Sequence, residues 1–200
     1  GDIGNQGPHQ MDLARWGLGL SGLPRKVFSS GAKFIYDDDQ ETPNTQLASF
    51  DFGDRKIVFE VRGLLTAGED GIPIDGGNFI GNLFFGAAGV MAVDASGYRV
   101  FAGEKRELVR EMKRVEALPD DPAPHAANFL SVMRSRKFEQ LAAGIEEGHI
   151  SSSMCHLANI SYRVGRSLEF DPAREKFSAV DTNALLSRKY RAPFAVPERV

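Results

Sequence analysis

Residues 45–61 read TQLASFDFGDRKIVFEV, and this stretch decides the fold class. The runs Thr45 to Phe52 and Lys56 to Val61 are rich in β-branched and aromatic side chains, and Gly53-Asp54 between them is a hairpin signal. In the second run Ile57, Phe59 and Val61 alternate with Val58, Glu60 and Arg62. Successive side chains of a strand point to opposite faces, so one face is apolar throughout and the other turns polar towards its end. Such a hairpin belongs to an antiparallel sheet that helices can cover. Apolar residues such as Phe50, Phe52, Ile57 and Phe59 then need shelter under helices or against another subunit.

Working outward, Val27 to Ser30 adds an upstream strand. Gly89 to Asp94 and Tyr98 to Ala102 flank Ala95-Ser96-Gly97 as a second hairpin, so the sheet is expected to hold five or more strands. Between the hairpins, Gly68 to Gly86 carries six glycines and Pro73 and reads as an irregular excursion with an interaction role. Glu104 to Glu116 suits a strand or a short helix, and Pro119 to Pro124 is a linker between elements. At the front, Gly1 to Gly7 reads as a loop entering a helix from Pro8 to Leu20. Met11, Leu13, Ala14, Trp16 and Leu18 give that helix an apolar side, and Gln10, Asp12 and Arg15 a polar one. His125 to Arg136 and Ser151 to Leu168 read as further helices, the second capped by Ser151, Ser152 or Ser153. The tail from Asp171 reads as irregular, with another turn of helix at Asn183 to Ser187. The expectation is one α+β domain over residues 1–200, an open, mostly antiparallel sheet backed by helices.

Composition narrows the function. Hydrophobic residues make up 42% and charged residues 26%, as in soluble globular domains. With 24 basic against 27 acidic side chains and a net charge of -3, there is no broad cationic surface for a phosphate backbone, so nucleic acid is not an expected partner. A single cysteine, Cys155, excludes an internal disulfide and a multi-thiolate metal site within one chain. No apolar run reaches the roughly 18–20 residues of a membrane helix, so no membrane partner is expected. A cytoplasmic location is the expectation, with export open if a leader precedes Gly1.

Gly17-Leu18-Gly19-Leu20-Ser21-Gly22 matches G-x-G-x-x-G, but a dinucleotide loop leaves a strand and opens a helix. Here the order is reversed, and the glycines read as a helix stop. More informative is Gly4 to Asp12, which places Asn5, His9 and Asp12 at a loop-to-helix junction. A histidine in a helix's first turn meets the positive end of the dipole, which favours a neutral ring able to accept a proton. Asp12, one turn on, can orient that ring or support the helix start. His156 reads as a packing histidine that could reach a cleft, and Cys155 as a small buried residue. Asp37-Asp38-Asp39 lacks the later glycine and glutamate of an EF-hand loop and reads as solvated.

The stretch GDIGNQGPHQMDLARWGLG, residues 1–19, resembles the segment of Gfo/Idh/MocA oxidoreductases in which a polar residue, three spacers and a histidine precede a helix bearing Asp and Trp. HAANFLSVMRSRKFE (125–139) and HISSSMCHLANISYRVGRSLEFDP (149–172) resemble the two helices after the sheet in the bacterial variant of that family's carboxy-terminal domain. The resemblance implies that His9 is the catalytic acid or base on a sugar or polyol hydroxyl, with Asn5, Asp12, Trp16 and His156 around the substrate. Asn5 departs from the family, where an aspartate is common at that place. The resemblance further implies NAD or NADP in the full-length protein, held by an amino-terminal nucleotide-binding domain that is not in this chain, and a homo-oligomer formed through the sheet, with helices on its other face. The Glu-Lys-Pro segment of the family is likewise not in this chain, so this piece alone is expected to bind no cofactor and to be inactive. An NAD-dependent glycoside hydrolase and a non-catalytic carbohydrate-binding or assembly module are the two alternatives.

Overall fold

The computed structural model describes residues 1–35, 39–63, 80–113 and 123–197. It begins with one turn of helix, α1 (Asp2–Asn5), that runs almost without a break into α2 (Gly7–Leu18). Gln6 between them keeps right-handed helical angles, its amide donates to the Asp2 carbonyl at 2.9 Å, and the Gln10 amide donates to the Gln6 carbonyl at 3.1 Å. The expected opening loop is therefore helical. Gly7 explains the continuity: the residue before a proline clashes through its Cβ in helical conformation, and glycine has none. Ile3, buried, pins α1 to the body. Gly19, left-handed with φ 64°, ends α2 by donating its amide to the Arg15 and Trp16 carbonyls. That is the expected glycine stop, placed at Leu18 rather than Leu20.

The strands follow as β1 (Lys26–Ala32), β2 (Thr45–Asp51), β3 (Lys56–Arg62), β4 (Gly81–Gly86), β5 (Gly89–Asp94), β6 (Gly97–Ala102) and β7 (Glu107–Lys113). Helices α3 (Ala123–Ser135) and α4 (Ile145–Val164) precede a last hairpin of β8 (Leu168–Asp171) and β9 (Lys176–Phe177). The β2–β3 hairpin forms in the expected register, Phe50 opposite Ile57, and its turn closes with the Gly53 amide donating to Asp51 Oδ1 at 2.8 Å. Every described strand pair is antiparallel, but the strands form two sheets rather than one: β3-β2-β1-β8-β9 and β4-β5-β6-β7. β8, drawn from the far end of the sequence, occupies the edge of β1, which leaves β4 to β7 as a separate meander.

Several expected boundaries shift for physical reasons. Gly81 to Gly86 belongs to a strand despite its glycines, while the rest of the Gly68 to Gly86 excursion up to residue 79 lies outside the described residues. α4 starts at Ile145 behind Gly144, so Ser151, Ser152 and Ser153 lie within it and cap nothing. It stops at Gly165 in the left-handed conformation, which frees Leu168 to enter β8. The tail is less irregular than expected: β8 and β9 pair, and a 3-10 stretch runs over Val180–Leu186.

α2 and α4 cover one face of the five-stranded sheet. The core beneath them unites Met11 and Ala14 of α2, Met154, Leu157 and Ala158 of α4, and Val27, Ala48, Phe50, Ile57, Val61 and Leu168 of the strands. Its polar members are paired: the Ser29 amide donates to Ser161 Oγ at 3.0 Å, and Gln46 Nε2 donates to Ser29 Oγ at 2.9 Å. Phe50 and Ile57 are buried here, with Phe52 and Phe59 packed at the margin, so all four share the helix-covered face. The opposite face carries a different set, Phe28, Leu47 and Val58, exposed by 41%, 41% and 57%.

Candidate functional site

Asn5, His9, Asp12 and Trp16 are spaced by four, three and four residues, the spacing of one face of a helix. The near-continuous α1–α2 run makes that face real, and all four residues are exposed, Trp16 by 81%. The sequence reading had Trp16 on the apolar side of the helix. In the fold, that side is taken by Met11 and Ala14, and Trp16 points the other way.

The stripe is exposed because α2 is packed on both flanks of it. On one flank lies α4: Cys155 Sγ is 3.9 Å from Met11 Sδ, and a Cβ at Gly7 would lie 2.9 Å from Cys155 Sγ. On the other lies β4, where Asn82 Nδ2 donates to Gln10 Oε1 at 2.8 Å and a Cβ at Gly17 would lie 2.6 Å from the Phe84 ring. The glycines at 7 and 17 thus let α2 sit close to both neighbours, and Asn5, His9, Asp12 and Trp16 lie on its outward face, between the sides that meet α4 and the second sheet.

Among the described residues His9 has no hydrogen-bond partner, so both ring nitrogens are available to a ligand. The expected free helix start ahead of it is absent, since α1 supplies another turn of helical backbone. Asp12 does not orient His9. Its Oδ1 accepts from Ser151 Oγ of α4 at 2.7 Å and from Arg15 Nη1 at 3.4 Å. Arg15, read from the sequence as part of the polar side, is 1% exposed. Its Nη1 donates to Ser151 Oγ at 2.8 Å and its Nη2 to Glu147 Oε2 at 3.0 Å, while Nε has no partner. Sequence reasoning missed this node; the available signal was that Arg15 stands four residues after Met11, on the buried phase of the helix.

His156 is exposed, on the solvent side of α4 with Ser152 and Asn159, turned away from its buried neighbour Cys155. No hydrogen bond joins it to the α2 stripe. Burial pushes the Cys155 thiol up to about 11, the opposite of what a nucleophile needs. Arg166 is engaged with Asp181 at 3.1 Å. Of the aspartate run, Asp37 and Asp38 lie outside the described residues. No group of three or more His, Cys, Asp or Glu side chains placed to hold a metal ion occurs among the described residues.

Comparison with known proteins fits this architecture. A family model of the Gfo/Idh/MocA group, described as "Oxidoreductase family, C-terminal alpha/beta domain", matches residues 27–196. A protein from Thermotoga maritima, provisionally described as an oxidoreductase, superposes with a TM-score of 0.54 at 16% identity, covering 80% of this chain and 44% of that one. Another from Klebsiella pneumoniae gives 0.56 at 15%, covering 90% and 51%. A third from Desulfitobacterium hafniense, provisionally described as an NADPH-dependent oxidoreductase, gives 0.56 at 17%, covering 82% and 46%. This chain therefore spans about half the length of each. No curated protein matches it. The match of the family model across most of the sequence, on a fold of two antiparallel sheets and packed helices, means that the chain belongs to the Gfo/Idh/MocA oxidoreductase family and carries its C-terminal α/β domain.

Proposed function

We propose that this domain forms the substrate side of an NAD(P)-dependent oxidoreductase acting on a sugar, polyol or related carbohydrate. The observation that carries the reading is the exposed stripe of α2, where His9 stands unpaired with an amide on one side along the helix and an indole on the other. His9 exchanges a proton with a substrate hydroxyl through a free ring nitrogen. Asn5 holds a neighbouring hydroxyl by its amide, and Trp16 offers an apolar face to the ring carbons. The nicotinamide, when bound, supplies hydride exchange, and no dinucleotide loop is found in this chain's sequence. Its holder is the amino-terminal nucleotide-binding domain of the full-length protein. Phe28, Leu47 and Val58, on the outward face of the first sheet, are the surface on which a second copy docks.

The test is turnover by the full-length parent, followed as NAD(P) reduction over a panel of free aldoses and polyols. His9→Ala is expected to abolish it while the thermal midpoint stays put; unchanged turnover would remove the assignment. Asn5, standing where an aspartate is common, favours a second reading as an NAD-dependent glycoside hydrolase. Release of the aglycone from aryl glycosides without net cofactor reduction would select that reading.

A further inference from the structure

We infer that Arg15 is a positioning residue: it fixes the rotation of α2 against α4 and withdraws Asp12 from the substrate-facing set, so that His9 works without a carboxylate from its own helix. The inference rests on reading the α2 stripe as the substrate-facing surface of the site.

Three side chains form a closed ring. Arg15 Nη1 donates to Ser151 Oγ at 2.8 Å, Ser151 Oγ donates to Asp12 Oδ1 at 2.7 Å, and Arg15 Nη1 returns to Asp12 Oδ1 at 3.4 Å. A fourth member, Glu147, takes Arg15 Nη2 at 3.0 Å. Two of these residues sit on α2 and two on α4, so a rotation of α2 by a fraction of a turn breaks bonds on both sides of the ring at once. The planar fork of a guanidinium can serve Ser151 and Glu147 together, whereas an ammonium is a single point of charge. As a stability device the node is poor. The cation is almost fully buried, its Nε is unbonded, and the carboxylates of Asp12 and Glu147 are 56% and 59% exposed. Apolar replacement of a buried ionic group is often neutral or stabilising. What the node supplies is geometry, and what that geometry orients is the stripe one turn away. Elsewhere around α2, β4 carries no charged residue, and the charges of β3 at Lys56, Glu60 and Arg62 alternate with its helix-facing residues and lie on the far face of the sheet.

The experiment uses the whole 200-residue chain, because Trp16 is its only tryptophan and reports on the stripe without any substrate. Thermal unfolding is measured alongside NMR spectra of the Trp16 indole and His9 imidazole at constant pH, for Arg15→Met, Arg15→Lys, Asp12→Asn and Ser151→Ala. Arg15→Met is expected to melt at or above the wild-type midpoint while the Trp16 and His9 signals move and broaden. Arg15→Lys is expected to leave them displaced, and Asp12→Asn, which keeps an acceptor oxygen for Ser151, to hold them near their native positions. In the full-length parent, assayed over the same polyol and aldose panel, Arg15→Met is expected to lower kcat on the order of tenfold or more, with KM for the cofactor unchanged. Native signals in Arg15→Met, or a larger displacement in Asp12→Asn than in Arg15→Met, overturn the inference. Should Arg15→Met not fold, Ser151→Ala removes one arm of the ring and must displace the same signals for the inference to stand. These spectra are independent of His9 chemistry: displaced signals together with an active His9→Ala parent would leave the node in place and remove only the catalytic reading.

Discussion

Replacing Gly7 by alanine probes the contact that seats the candidate site on the core. The added Cβ would lie 2.9 Å from Cys155 Sγ, with Ile3 and Met11 carbon atoms at 3.6 Å closing the other sides. A carbon and a sulfur in ordinary contact stand well beyond that distance, and Cys155 is buried within α4 and has little room to retreat. Overpacking of this kind costs about 1–3 kcal/mol. Alanine's better helix propensity returns little here, because its Cβ also meets Pro8, the clash that glycine avoids. The expected net loss is about 1–3 kcal/mol, a fall of roughly 3–9 °C in thermal midpoint for a chain of this size. Cys155→Ala alone is expected to cost about 1 kcal/mol for the vacated volume. If the two positions collide as the structure shows, the double variant is more stable than the sum of the two losses implies, by about 1 kcal/mol or more. Circular dichroism through urea and thermal unfolding of all four proteins gives the cycle. Additivity within about 0.5 kcal/mol, or a Gly7→Ala protein as stable as wild type, would refute the close packing of α2 on α4.

Cys155 also makes a pH-dependent contribution with a definite sign. Burial raises its folded-state value from 9.0 to about 11, so the neutral thiol is favoured in the fold; the stabilisation is fully present below pH 9 and is lost as pH rises towards 11. After discounting for solvent screening the loss is roughly 1–2 kcal/mol, and Cys155→Ala should flatten the stability curve over that window. An equal slope in both proteins would show that the thiol is not the titrating group. On the outward face of the first sheet, Leu47→Glu with Val58→Glu is expected to convert a self-associating chain to a monomer in sedimentation velocity without lowering its melting midpoint; a wild-type chain that is monomeric already would remove the proposed docking face.

The sheet hairpin was legible because its information is local. The apolar phase of Ile57, Phe59 and Val61, set against Glu60 and Arg62, and the Gly53-Asp54 turn specify both the pairing and the buried face, and both appear in the structure. The division into two sheets was not legible, because it depends on β8 reaching the free edge of β1 across most of the sequence, and no pattern within either strand encodes that partner. The same distinction separates the site residues. His9, Asp12 and Trp16 could be placed on one helix from the sequence, but Asn5 was read as part of a loop ahead of it, and which side of the helix faces out depended on what packed against the others. Arg15 was misread because residue type argues for exposure, and only the approach of Ser151 and Glu147 from α4 makes its burial tolerable.

These contacts also bear on why the stripe has its particular composition. Folding constrains the α2 positions that meet α4, the core and β4, and there it requires small or apolar residues such as Gly7, Met11, Ala14 and Gly17. It places no packing demand on positions 5, 9 and 16, which touch solvent in this chain. An isolated exposed tryptophan is unremarkable on a protein surface. A tryptophan, an imidazole with both nitrogens free and an amide, aligned at helical spacing along the strip that packing leaves open, are together a set suited to a flat, hydroxylated ligand with a proton to exchange. Packing accounts for the buried positions of α2, and under the proposed function ligand binding accounts for the exposed ones, so variants of Gly7 and Gly17 should act through stability, whereas variants of His9 and Trp16 should leave stability intact and act on the ligand alone.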